Sequence, residues 1–118
     1  MVWAALQEPR LSRTTELVLR DLSCRKLISA VSVAELAIKV AAGKLILPDT
    51  PLALCRGLGA EIVALEAHHA NAVAALPLIH RDPFDRLLIA QAMVDDLTLI
   101  TGDPIVASYP GVKILKNS

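Results

Sequence analysis

The sequence predicts an α/β protein built on a mainly parallel central sheet flanked by helices, one domain over residues 1–118, and three observations carry that prediction. The first is composition. The chain is 54% hydrophobic but only 3% aromatic, a mix that suits strands buried on both faces by close-packed helices, which read as plain apolar runs. The second is order, because short apolar runs alternate with helical stretches at the spacing of βαβ units. The third is size. A chain of 118 residues can bury a real core in one domain, and no repeat, low-complexity tract or linker divides it.

Taken in order, Ser12 can cap a helix from about Arg13 to Leu22, with Leu17, Val18 and Leu22 turned inward. Leu27 to Val31 is an apolar run after a charged turn and is predicted as a strand. Ser32 then opens a second helix, ending near Gly43, where a left-handed cap suits glycine. Thr50-Pro51 starts a third by the pattern of polar N-cap and first-turn proline, and Gly57 or Gly59 ends it. A strand over Ile62–Leu65 and a short helix over His68–Ala75 come next. Asp82-Pro83 launches the longest helix, to about Asp95. Leu97–Thr101 is a strand, Gly102-Asp103-Pro104 a turn, and Val112–Leu115 the last strand. Sheets of this kind bind ligands outside the carboxyl ends of their strands, so the search for chemistry belongs there.

Twelve basic residues balance twelve acidic ones, so the surplus that drives non-specific nucleic-acid binding is absent overall. Any RNA contact must be local or carried by metal ions. The balance is uneven along the chain: residues 1–59 hold eight Lys/Arg and five Asp/Glu, a net of +3, and residues 60–118 hold four and seven, a net of −3. Arg10, Arg13, Arg20, Arg25 and Lys26 form a basic cluster, which reads either as a solvated helical face or as a phosphate-steering patch. Cys24 and Cys55 lack metal-ligand spacing and read as buried small hydrophobes in a reducing compartment. No signal-like start and no apolar run near the ~18 residues of a membrane span is present, so a cytoplasmic location is expected.

Three carboxylates stand where a site is expected. Asp85 lies in the middle of the helical stripe of Leu88, Ile89, Ala92 and Met93, and a carboxylate on a core-facing stripe is costly unless paired, hydrogen-bonded or bound to metal. The competing reading makes Asp82 the N-cap and Asp85 its capping-box partner; it accounts for Asp82 better than for Asp85. Glu35 completes a capping box with Ser32 and stands four residues before Lys39, which reads as structural, yet it follows a strand directly. Asp103 sits in Thr-Gly-Asp-Pro, either as a local turn former or as a ligand at a strand's carboxyl end. Carboxylates converging without a Gly-rich phosphate loop suit a hard cation, Mg²⁺ or Mn²⁺, able to activate water in phosphodiester cleavage. The histidines His68, His69 and His80 make no ligand pair with another His or Cys, and no nucleophile motif is present.

Three segments share a family resemblance. His80-Arg-Asp-Pro-Phe-Asp-Arg-Leu-Leu-Ile-Ala-Gln-Ala92 resembles the signature helix of VapC-type PIN-domain ribonucleases. Ser29-Ala-Val-Ser-Val-Ala-Glu-Leu-Ala-Ile-Lys39 is similar to their second strand and following helix, and Leu99-Ile-Thr-Gly-Asp103 to their late strand and acidic turn. The match runs through essentially the whole chain in order, and the Asp-Pro-Phe-Asp-Arg helix is its specific part. The resemblance implies a parallel-sheet nuclease binding Mg²⁺ or Mn²⁺, with metal-ligand and catalytic roles for Glu35, Asp85 and Asp103. It leaves Asp82 as a cap and gives Arg86 and Thr101 as candidate substrate contacts.

One departure is expected to matter. The family begins with an apolar strand that lies centrally in the sheet and ends in an acid, and the resemblance places Val2-Trp-Ala-Ala-Leu6 in the segment after it. The first strand and its acid are then without counterpart, through a misplaced start or a true truncation. The sheet would have unpaired neighbours, the site one carboxylate fewer, and the 118-residue chain would fold poorly and not cleave RNA. The functional expectation is a toxin of a type II toxin–antitoxin pair: a metal-dependent endoribonuclease, neutralised by a cognate antitoxin and homodimeric. The alternatives are an inactive PIN remnant that retains antitoxin binding, and a signalling domain with a phosphate-accepting acid. The second needs an aspartate at the end of a central strand, and none stands so clearly.

Overall fold

The computed structural model describes residues 2–6 and 24–116, with side chains from residue 25 onward. Five strands form one sheet: β1 (Val2–Leu6), β2 (Cys24–Ser29), β3 (Glu61–Val63), β4 (Thr98–Thr101) and β5 (Lys113–Lys116). Their spatial order is β3-β2-β1-β4-β5, and every pairing is parallel. The helices are α1 (Ala30–Ala41), α2 (Pro51–Gly57), α3 (Ala67–Ala72) with a 3₁₀ turn at Val73–Ala75, α4 (Pro83–Val94) and α5 (Pro104–Ala107). The expected α/β class and parallel sheet are therefore present. The helix expected over Arg13–Leu22 and the basic side chains of Arg10, Arg13 and Arg20 lie outside the described residues.

The expectation of a missing central strand is corrected. Val2–Leu6 is that strand: Ala5 is level with Leu27 of β2 on one side and with Leu99 of β4 on the other. Both neighbours of β1 thus find backbone partners, and the sheet has no gap at its middle. The physical reason lies in the run itself. Five apolar residues without a polar interruption carry no helical or strand period, and a strand buried on both faces reads the same way as a buried helix turn. The position between β2 and β4 decides, because their backbone groups require a partner there.

Local chemistry starts the other elements. Thr50, Asp82 and Asp103 each cap a helix whose first turn carries a proline. The cap oxygen takes an otherwise orphaned N–H, and proline has none to lose. α1 differs from its expected start: Ser29, not Ser32, is the N-cap, its hydroxyl accepting from Val31 N–H at 3.1 Å. Ser32 is buried one turn inside the helix, so the expected Ser32–Glu35 capping box does not form the cap. Gly43 has φ 73° just past the end of α1, the left-handed position where a β-carbon is unfavourable.

Successive strand residues face opposite sides, which splits the core in two. Leu27 and Leu99 pack with Leu88, Ile89 and Ala92 of α4, while Ile28 and Ile100 pack with Cys55 of α2. Of the predicted α4 stripe only Met93 reaches the surface, at 39% exposed. Helix cover on both sheet faces leaves the carboxyl edge, where β2 and β4 flank the end of β1, as the place for a site. There the chain leaves β2 toward one side of β1 and lies beyond it in β4 on the other, the reversal point at which such sheets bind ligands.

Candidate metal centre at the carboxyl edge of the sheet

Asp85 and Asp103 reach this edge from different directions. Asp85 projects from the first turn of α4, positioned by the Asp82 cap, whose Oδ1 accepts from Phe84 N–H at 2.9 Å and Asp85 N–H at 3.2 Å. The carboxylate is buried, with the residue 7% exposed, as its place on the core stripe predicts. Asp103 follows β4. Its Oδ1 caps α5 by accepting from Ile105 N–H at 2.8 Å, which leaves Oδ2 for other work. Of the two readings of Asp103, the turn former is served by Oδ1, while Oδ2 faces His80 Nε2 at 3.5 Å.

Between the two carboxylates stands His80, whose part was not foreseen. Its Nε2 is 2.7 Å from Asp85 Oδ2 and 3.5 Å from Asp103 Oδ2. One ligand-type atom from each of the three residues lies within 4.8 Å of the others. His80 has no periodic signal in the sequence, because it sits in the loop before the cap. Its five-residue lead on Asp85 is the available clue, and only the folded loop turns it back onto that side chain.

Glu35 stands farther off, on α1, outside that group of three. Its Oε2 is 3.8 Å from Lys39 Nζ, the expected i,i+4 pair, and its side chain is 20% exposed. Burial raises its pKa above the ordinary glutamate value, Lys39 lowers it, and the negative charges of Asp85 and Asp82 raise it again. That Asp85 acts on Glu35 shows the two to be electrostatic neighbours, although the sequence separates them by 50 positions. Of the three predicted acids, Asp85 and Asp103 come together with His80, and Glu35 lies outside that group.

The two candidate substrate contacts have other roles. Thr101 is buried at 1% exposure, and its hydroxyl accepts from Asp103 N–H at 3.0 Å; it shapes the turn that delivers Asp103. Arg86 points away from the acids into the α3–α4 loop. Its guanidinium donates to the carbonyls of Val73, Leu76, Pro77 and His80 and to Tyr109 Oη, at 2.9–3.5 Å. The fork of N–H donors gathers the segment before α4, so the expected substrate contact at Arg86 would share its guanidinium with these internal bonds.

The donor set suits a hard divalent cation. Oxygens of Asp85 and Asp103 approach one point beside His80, and no thiolate takes part among the described residues, a chemistry that favours Mg²⁺ or Mn²⁺ over softer metals. The N-terminal ends of α4 and α5 support the negative charge that such an ion needs.

A family model for the PIN domain matches residues 1–112. No curated protein matches. Among solved structures, the fold is similar to a chain of VapBC2 from Rickettsia felis bound to a DNA fragment from its promoter. The TM-score is 0.74 with 16% sequence identity, covering 98% of each chain. A chain of DNA-bound VapBC from Salmonella typhimurium matches with a TM-score of 0.71 and 19% identity over 100% of both chains. A chain of FitAB bound to an IR36 DNA fragment matches with a TM-score of 0.61 and 15% identity, over 97% of this chain and 94% of the other. At these identities the likeness is one of fold.

Proposed function

Because this chain belongs to the PIN-domain family, we propose that it is the toxin of a type II toxin–antitoxin pair, a Mg²⁺- or Mn²⁺-dependent endoribonuclease. The observation that carries the reading is the approach of the buried Asp85 carboxylate and Asp103 to within 4.8 Å of one another at the carboxyl edge of the sheet. A carboxylate so buried on a core stripe serves stability poorly. Two of them facing one point serve cation binding well. The fold's likeness to chains of VapBC and FitAB complexes supports the toxin role and a cognate antitoxin as partner; assembly as a homodimer belongs to the same proposal.

In this mechanism Asp85 and Asp103 would hold the ion, with Glu35 adding charge from α1. A cation held there would supply activation of water and neutralisation of the charge that develops on the phosphodiester. Asp82 and Thr101 act through position: one caps α4 so that Asp85 enters the site, the other fixes the turn that carries Asp103. With a net charge of zero, the protein gains little from general phosphate attraction, so binding of RNA depends on the metal edge.

The test is cleavage of a short fluorogenic RNA by the purified protein in Mg²⁺, in Mn²⁺ and in EDTA, beside Asp103→Asn. Metal-dependent cleavage that the variant loses is the expected result. Cleavage that persists in EDTA, or at full rate in a folded Asp103→Asn protein, would overturn the reading.

A further inference from the structure

We propose that His80 is a placeholder for the cation: its Nε2 stands between Asp85 and Asp103, hydrogen-bonded to the first, and withdraws when a divalent ion binds. The inference rests on the reading of those aspartates as ligands and adds a competitor built into the same site.

The tautomer comes first. His80 Nδ1 accepts from Arg81 N–H at 3.1 Å, so the proton of the ring is on Nε2, the nitrogen that faces the carboxylates. A histidine that ligates a metal has the reverse arrangement, a bare nitrogen toward the ion and an N–H directed at a second partner. As the ring stands, His80 is a hydrogen-bond donor to the acids and not a third ligand.

The oxygens come second. Asp103 has Oδ1 committed to Ile105 N–H, so its offer to a cation is Oδ2, the atom 3.5 Å from His80 Nε2. Asp85 Oδ2 is the atom 2.7 Å from the same nitrogen. An ion bonded to both oxygens needs the space that this one N–H now addresses. The donor and the ion compete for Asp85 Oδ2 and for the space beside Asp103 Oδ2.

Movement comes third. His80 N–H donates to Tyr109 Oη at 2.7 Å, Tyr109 Oη donates back to His80 carbonyl at 3.4 Å, and Arg86 donates to both oxygens. The backbone of His80 is therefore held from both sides. Withdrawal is a rotation of the ring on a fixed main chain, with no loop opening.

Two substitutions separate the parts of the ring. In His80→Asn the amide oxygen takes the place of Nδ1 and can still accept from Arg81 N–H, while the Nε2–H is lost. In His80→Gln an amide N–H can still reach the acids. Mn²⁺ binding to the whole protein, measured by calorimetry at one fixed pH, should tighten about tenfold in His80→Asn, the equivalent of one charge-assisted hydrogen bond no longer competing. His80→Gln should stay close to wild type. Metal-free His80→Asn should also melt lower than wild type and gain more in melting temperature on adding Mn²⁺. Equal or weaker Mn²⁺ binding by a folded His80→Asn protein overturns the placeholder role, while loss of binding in Asp85→Asn still supports the metal site. Failure of the wild type to bind Mn²⁺ overturns both.

Discussion

Helix α4 carries a histidine–carboxylate pair at each end, and the two pairs are built alike. At its start His80 Nε2 meets Asp85 at 2.7 Å; at its end His69 Nε2 meets Asp95 at 2.9 Å. Both rings accept a backbone N–H on Nδ1, from Arg81 and from Glu66. Each pair has a third potential ligand nearby, Asp103 in one case and His68 in the other, within 4.8 Å. What differs is charge and burial. The first group holds two carboxylates, one of them buried, with Glu35 in electrostatic range. The second holds one carboxylate, 39% exposed, at the C-cap of the helix, where the macrodipole opposes negative charge. The His69 pair ties α3 to α4 and closes the Glu66 cap of α3. A histidine–aspartate contact is therefore no sign of a site by itself; converging negative charge at a strand edge is.

The largest effect expected from this contrast is on cleavage. Asp85→Asn keeps the shape of the side chain and removes the charge that recruits the ion, so RNA cleavage should fall to background and Mn²⁺ binding should be lost. Asp95→Asn should leave both unchanged and cost under about 1 kcal/mol of stability, as fits a partly exposed pair. Equal loss of Mn²⁺ binding in the two folded variants would erase the distinction between the ends of α4.

Next in size is Arg86. Its removal leaves several loop carbonyls and Tyr109 Oη without their shared donor, so Arg86→Ala should cost about 2–3 kcal/mol in denaturant unfolding. Loosening of the His80 main chain should follow. A variant of unchanged stability that binds RNA poorly would instead restore the substrate-contact role expected from the sequence.

Smaller again is the cap. Asp82→Ala removes the oxygen that accepts from Phe84 and Asp85 N–H, at a cost of about 1 kcal/mol, with cleavage largely retained. Loss of cleavage equal to that of Asp85→Asn at full folding would make Asp82 a ligand in its own right.

These residues also show where sequence reading succeeds and stops. Asp85 was readable because a charged group on an apolar helical stripe contradicts the period around it, and Asp82 because cap and proline are a local code. Asp103 was readable as two alternatives, and the structure shows the turn-forming one, with Oδ1 capping α5. Val2–Leu6 was not readable as a strand, since five apolar residues have no period to tell strand from helix. The start of α1 was missed because Ser29 and Ser32 both offer a cap, and the end of β2 selects the first. Arg86 and His80 depend on a folded loop with contacts that reach 29 positions along the chain, and no local pattern encodes those.

The smallest effect expected is that of Glu35, and its sign is the informative part. Burial first, then the charges of Asp85 and Asp82, raise its folded pKa above the reference value of 4.5, against the lowering by Lys39. A carboxyl whose pKa is raised on folding contributes stability that is fully present below its unfolded pKa and is lost as pH rises through the folded value. At neutral pH the ionised Glu35 is thus a burden on the metal-free fold. Glu35→Gln should raise the melting temperature of the metal-free protein slightly at pH 7, with the advantage shrinking as pH falls through the raised folded pKa and gone below 4.5. Mn²⁺ should reverse the order, because the ion offsets the crowding of negative charge and the wild type gains more from it than the glutamine variant. Thermal unfolding of both proteins at two pH values, with Mn²⁺ and with EDTA, checks each sign separately. A variant that is less stable than wild type without metal at pH 7 would assign Glu35 to its ion pair with Lys39 and take it out of the acidic edge.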